Sequence, residues 1–343
     1  MVDITVRGAG IFGLSIAWVC LQRGARVQVI DPHGAGAGSS GGLVGALAPH
    51  VPENWNPKKA FQLESLLMAE TFWSGIDAAS GLPSGYHRTG RLQPVLDTGA
   101  LDLARQRANG AATLWQGHAD WSVISSDARD WAPHSPSGWL IHDTLSALIH
   151  PRQAIASLVA ALGNHGVQIQ AHGPDRGKVL WATGLAGLEA LNDDHARQVG
   201  TGVKGQAALL DFDARGAPQL FADTIHIIPH LNGTVAVGST SERDFEDGSS
   251  TDAQLDTVID RARRAVPALR DAQVIDRWAG VRPRARSRAP MLGAWPGRQD
   301  QFIANGGFKI GFGMAPKVAD VMADLLLDGV DNIPQGFEVA ASF

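Results

Sequence analysis

One cysteine, Cys20, is all the thiol chemistry that 343 residues carry, so a disulfide framework and a cysteine-rich metal site are both excluded. A reducing cytoplasm is the natural compartment for such a chain. Excess positive charge is lacking too. The 29 basic and 34 acidic residues leave a formal charge of -5, which gives no footprint for nucleic acid or an anionic membrane surface. The apolar run from Ile11 to Leu21 is too short to span a bilayer, and the strand and turn before it argue against a secretory signal core. No H-E-x-x-H or comparable ligand spacing occurs, so no catalytic metal is expected. Internal repeats and low-complexity tracts are missing as well. What is present is enough chain for two lobes, each with its own core. Its 40 glycines are spread out rather than clustered, which suits an α/β protein with tight turns close to a ligand.

The most informative stretch runs from Asp3 to Asp31. Ile4 and Val6 alternate as a short strand, Gly8, Gly10 and Gly13 follow in G-x-G-x-x-G spacing, and Leu14, Trp18 and Leu21 recur at helical spacing. Gly24 fits the helix end, and Val27 to Ile30 form a second strand ending at Asp31. This is the context in which three glycines and an acid bind a dinucleotide. Gly8 permits the tight turn, Gly10 lets backbone approach a pyrophosphate, and Gly13 lets helix and strand pack closely. The helix start, with Ile11 and Phe12, presents N–H groups and a positive dipole end to phosphates. Asp31 is placed to accept both ribose hydroxyls and to repel a 2′-phosphate, which disfavours NADP. On these residues alone FAD, NAD and a vestigial site all stay open.

Further along, Gly34 to Gly42 is a small-residue loop containing Ser39, Ser40 and Gly41, and the two hydroxyls are placed to donate to phosphate oxygens. Leu43 to Pro49 is apolar and suited to lie beside a flat ring. Helices are expected over Pro57 to Ala79, Leu101 to Asn109, from Pro151 to Gly163, from Asp252 to Val266 and from Pro316 to a cap at Gly329. Strand-like segments are Gly85 to Val95, short runs within residues 114–141, Val167 to Ile169, Val179 to Thr183, Gln206 to Phe212, Thr224 to Pro229, Thr234 to Ser239 and Phe302 to Ala304. Asn232-Gly233 marks a turn. Asn305 to Gly313 forms a second glycine-rich turn ahead of a helix.

Six landmarks taken in order carry a family resemblance: GAGIFG with Asp31, SSGGLVGALAP, HPRQAIASLVAAL, VLWATG, GVRPRARSRAPMLG and NGGFKIGFGMAP. Together they resemble the D-amino-acid oxidase superfamily of FAD-dependent oxidoreductases, which includes glycine and sarcosine oxidases. Gly42 to Trp73 is locally similar to the oxidase half of the bifunctional enzyme that modifies tRNA wobble uridine. The resemblance implies an α/β fold, with a discontinuous Rossmann-like FAD-binding domain (residues 1–81, 142–201 and 277–343) and a substrate domain with a large mixed or antiparallel sheet (82–141 and 202–276). It places Gly8, Gly10, Gly13 and Asp31 on the adenosine half of FAD, and Ser39, Ser40 and Gly41 near the diphosphate. It sets Ala46, Leu47 and Ala48 beside the flavin and Val167 toward the adenine. Thr183 and Gly184 close the crevice, and Gly307, Phe308, Lys309, Ile310 and Gly311 lie under the isoalloxazine.

The implied reaction is oxidation of an amino acid or N-substituted amino acid by hydride transfer to flavin. A 2-hydroxy acid and a modified nucleoside are the alternatives, with an NAD-binding protein behind them. Arg282, following Gly280, matches the substrate-arginine position, where its fork suits a carboxylate. It competes with the reading of a surface arginine, one of four at alternate positions from Arg282 to Arg288. Lys309 matches a substrate-binding lysine in a similar GFK sequence. His50, His226 and His230 are further candidates for taking the amine proton, each against a purely structural role. Sarcosine-type members tether flavin through a cysteine after the substrate arginine. This chain has none there, so FAD is expected to be non-covalent. The substrate is expected to be a small carboxylate-bearing molecule, with the oligomeric state open.

Overall fold

The computed structural model describes residues 2–127 and 130–343. Ala128 and Arg129, within the tryptophan-rich stretch 114–141, lie outside the described residues. The first half of the chain forms β1 (Ile4–Arg7), α1 (Ile11–Gln22), β2 (Val27–Ile30), β3 (Ala46–Leu47), α2 (Pro57–Ser80), β4 (Arg91–Pro94), α3 (Thr98–Leu114), β5 (Trp121–Ser125), β6 (Trp139–Asp143), β7 (Ala147–Leu148) and α4 (Pro151–Asn164). Then come β8 (Ile169–Gln170), β9 (Lys178–Trp181), α5 (Gly184–Asp193), β10 (Gly200–Asp211), β11 (Gln219–Ala222), β12 (Ile225–Pro229) and β13 (Thr234–Gly238). The last elements are α6 (Ala253–Ala265), β14 (Gln273–Ala285), β15 (Met291–Ala294), β16 (Gln301–Asn305) and α7 (Gly311–Ala323).

Two large sheets organise these elements. A six-stranded sheet has the order β15-β16-β9-β1-β2-β8, and every pairing from β16 to β8 is parallel. Its strands come from both ends and the middle of the chain, so β1 is flanked by β2 and by the distant β9. An eight-stranded sheet runs β14-β10-β13-β12-β11-β4-β6-β5. It is antiparallel except between β11 and β4, and is therefore mixed. The expected α/β class with a Rossmann-like half and a large mixed sheet is what the chain forms. Among the described residues, no helix is long and apolar enough to cross a membrane.

α1 buries nine of its residues because it lies between the parallel sheet and the helices α4 and α7. That explains an apolar stretch without a polar face. α2 begins where Asn56 accepts a hydrogen bond from the Lys59 N–H with Pro57 at the first helical position, and it stops at Gly81, whose φ is 72°. Asp252 caps α6 as expected.

Several boundaries differ from the sequence expectations. Only Arg91–Pro94 of the 85–95 segment pairs as a strand. α3 is longer than expected because Asp97 caps it earlier. The strand expected from Val167 starts at Ile169. Val167 instead closes the end of α4, its N–H donating to the Leu162 carbonyl at 3.0 Å. The strand expected to end at Thr183 stops at Trp181, and Thr183 stands at the start of α5, which carries Leu185, Leu188 and Leu191 on one face. α7 starts at Gly311, not Pro316, and Pro316 lies inside it. One lost backbone hydrogen bond is tolerated there because the helix packs against α1 and α2. β14 runs through residue 277, where a domain boundary was expected, and continues to Ala285 as an edge strand of the larger sheet.

Trp73 on α2 is fully buried, meets Phe72 edge to face at 5.2 Å, and its indole N–H has no acceptor. Trp73→Ala should cost about 3–5 kcal/mol of stability, read as a lower urea midpoint with unchanged slope.

Candidate active site

The carboxyl ends of β1, β2 and β9 open into one cavity of about 1080 Å³, just above the roughly 300–1,000 Å³ usual for small-molecule sites. One wall comes from the β1–α1 turn and the loop through Ser39 and Ser40. The other comes from β14, β12 and the turn before α7.

The first glycine turn is built by contact. Gly8 has a φ of 106°, and a Cβ there would sit 2.3 Å from the Ala182 carbonyl oxygen. A Cβ on Gly13 would come within 1.9 Å of the Gly8 carbonyl oxygen. Gly13 therefore packs the helix on the strand and does not line the cavity. Gly10 is different: its missing side chain would meet only the Ser40 hydroxyl, at 3.2 Å, so the backbone there faces open space. Asp31 accepts from the Ala9 N–H at 2.8 Å through one oxygen and from the His33 N–H at 2.9 Å through the other. A carboxylate has about four acceptor positions, so lone pairs remain for ribose hydroxyls. Ser39 and Ser40 both line the cavity. The Ser40 oxygen accepts from the Ile11 N–H at 3.0 Å and thereby fixes the helix start, which leaves its O–H free to donate.

The remaining expected residues divide cleanly. Ile11, Phe12, Ala46, Ala48, Thr183, Gly184, Gly280, Gly307, Phe308, Ile310 and Gly311 all line the cavity. Leu47 does not, because alternation along β3 turns it into the core. Gly41 is drawn against the Gly36 carbonyl oxygen, which a Cβ would approach to 2.5 Å, and Val167 stays buried behind α4; neither reaches the cavity lining. The second glycine turn meets the first: a Cβ on Gly307 would lie 2.9 Å from the Phe12 ring.

Arg282 lies on β14 opposite Val203 and is 9% exposed. Its guanidinium lies over Gly205, where a Cβ would come within 1.9 Å of Nη2. One Nη donates to the Thr240 carbonyl at 3.3 Å. Burial pulls its pKa down to about 10, which leaves it cationic at neutral pH. Lys309 also faces the cavity, and burial together with Arg282 and Arg284 lowers its pKa. Arg91, which the sequence reading missed, lines the same wall with its Nε 3.0 Å from the buried Asp143 carboxylate.

The three histidines separate. His226 lines the cavity beside Phe221, with no partner for Nδ1, and burial plus Arg91, Lys309 and Arg282 hold its pKa at about 3. His230 does not line the cavity. Its Nε2 donates to the Leu43 carbonyl at 3.0 Å, its ring lies 4.4 Å from that of His150, and burial holds it at about 3 as well. It is structural. His50 reaches the cavity rim, and its Nδ1 is engaged by the Gln62 side-chain oxygen.

A model of the FAD dependent oxidoreductase family matches residues 3–325. The chain belongs to that family. Glycine oxidase of Pseudomonas aeruginosa is 31% identical over 354 residues, covering 94% of each chain. A Rhizobium etli protein named as a thiamine biosynthesis oxidoreductase, ThiO, is 28% identical over 337 residues, covering 94% of this chain and 96% of its own. Among solved structures, glycine oxidase from Geobacillus kaustophilus superimposes with a TM-score of 0.84 at 18% identity, covering 98% of both chains. The protein is thus an FAD-dependent enzyme, and the cavity fits that cofactor. Gly10 leaves backbone open to it, Asp31 keeps free lone pairs, and the starts of α1, α5 and α7, whose first N–H groups have no partner within their own helix, lie at its walls.

Gly13→Ala should push α1 off β1, giving colourless protein with a lowered melting temperature. A second expectation concerns pH. His226 and His230 stay neutral in the fold but take up protons when unfolded, below the ordinary pKa of 6.5. Their contribution is full above about pH 6.5 and is lost as pH falls toward 3, at about 1.4 kcal/mol per pH unit per histidine. His230→Leu should make stability measured between pH 6.5 and 4.5 less pH-dependent by up to one proton.

Proposed function

We propose that the enzyme oxidises the C–N bond of an amino acid or N-substituted amino acid, with Arg282 as the carboxylate clamp. The observation that carries this reading is a buried guanidinium facing the cavity, given room by Gly205 and matched by no carboxylate of its own wall. The names of the glycine oxidase relatives support it.

FAD, when bound, supplies the two-electron acceptor at flavin N5. Gly8, Gly10, Asp31 and Ser39 would hold its adenosine diphosphate half, and Gly307 to Gly311 with Ala46 and Ala48 its ring system. Cys20 is buried in α1 with its thiol pushed up to about 12, which supports the expectation that no cysteine tethers the flavin.

Arg282 donates two parallel hydrogen bonds to the substrate carboxylate, which fixes the direction of the neighbouring C–H bond. Orientation of this kind is worth up to about 7–11 kcal/mol. The substrate amine must also be neutral when hydride leaves. The positive wall formed by Arg282, Lys309 and Arg91 lowers the affinity of that amine for its proton. His226, itself neutral, adds no charge. A carboxylate-bearing 2-hydroxy acid would use the same clamp.

Anaerobic flavin bleaching across amino acids, N-methyl amino acids and 2-hydroxy acids tests the reading. Arg282→Ala should keep its FAD but lose at least about 30-fold in kcat/KM, since truncating a desolvated ionic contact costs about 2–5 kcal/mol. Unchanged apparent affinity and reduction rate in that variant would remove the clamp assignment.

A further inference from the structure

We infer that the substrate carries two carboxylates, one held by Arg282 and the other by Lys309. The inference rests on the amino-acid reading above and narrows it to acidic amino acids and N-carboxymethyl amines.

The cations around the cavity are not equivalent. Arg7 is bound to Asp175 at 2.6 Å, and Arg91 to Asp143 at 3.0 Å. Arg284 lies 5.5 Å from the centroid of the Phe308 ring and does not line the cavity. Arg282 and Lys309 remain. Arg282 makes one hydrogen bond, to a neutral carbonyl. The nearest acid behind it, Glu242, is engaged by Lys204 at 3.8 Å and by Gln206 at 3.1 Å. Lys309 has no hydrogen bond or ion pair among the described residues, and its Nζ lies 5.6 Å from the Phe308 ring centroid. The turn that carries Lys309 is fastened to β14, because Phe308 N–H donates to the Pro283 carbonyl at 3.0 Å and Gly307 bridges Arg284.

Two cations without a direct ion-pair partner among the described residues therefore share one wall, with Glu242 acting on Arg282 only at longer range. Among the described lining residues, Asp31 is the one carboxylate, and it is tied to Ala9 and His33 in the dinucleotide turn. A substrate with one carboxylate leaves one of these cations without a counter-anion. A substrate with two matches both. The residue types divide the work. The rigid fork of Arg282 suits the carboxylate next to the reacting carbon, and the flexible stem of Lys309 suits a carboxylate whose distance varies with the substrate.

The test titrates inert acids into the FAD-loaded enzyme by calorimetry, comparing acetate with malonate and succinate. Wild type should bind at least one dicarboxylate tenfold or more tighter than acetate. Lys309→Met should erase that ratio and Lys309→Arg should restore it. Lys309 is exposed to the cavity, so neither change disturbs the core. Equal binding of acetate and both dicarboxylates by wild type would overturn the inference. So would equal weakening of all three acids in Lys309→Met, since both cations would then serve one carboxylate. Flavin reduction by glycine, aspartate and an N-carboxymethyl amino acid is followed in parallel. A surviving dicarboxylate preference without bleaching by any amino acid would sink the amino-acid reading and leave the two-anion site standing.

Discussion

The site depends on two glycine turns, nearly 300 residues apart in sequence, lying in contact. The turn before α1 is compressed onto β9, with no space for a Cβ on Gly8 or Gly13. The turn before α7 then rests on the first through Phe12 and Ile11, which Gly307 and Gly311 approach closely. Side chains on either pair of glycines would separate helix starts that must point into one cavity. The cofactor cradle is thus made mostly of backbone, and small residues are what allow backbone to come so close.

Behind that cradle, the electrostatic design is one of separation. The dinucleotide turn holds the carboxylate of Asp31, spent partly on its own backbone. The opposite wall holds cations whose acidic neighbours are engaged elsewhere. Burial costs Arg282 some of its hold on its proton but not its charge, and a desolvated cation waiting without a partner is expensive to maintain. A fold keeps such a group when a ligand supplies the missing anion.

How much of this was readable depended on how local the signal was. The first turn, its acid and both flanking strands were legible because spacing within 30 residues carries them. Arg282 could be picked out but its strand could not. Pro283 and Gly280 are poor strand formers, and only as a sheet edge does β14 tolerate that proline. Gly205 had a signal that went unused: a glycine inside a strand pattern marks close approach, here of the guanidinium. Arg91 had none, since its place depends on Asp143 on a neighbouring strand. The Leu185, Leu188 and Leu191 spacing of α5 was present, but it lies directly behind the stronger strand signal of Val179 to Thr183. Pro316 misled the reading of α7 because packing outweighed a local preference.

The strand order has a consequence for synthesis on the ribosome. β1 is made before its neighbour β9, which follows some 170 residues later, and β16 is later still. The pair β1 and β2 therefore keeps an unpaired edge until β9 has been made. The cavity lining, which draws on residues from Arg7 to Phe312, is therefore complete only after both distant glycine turns have been made.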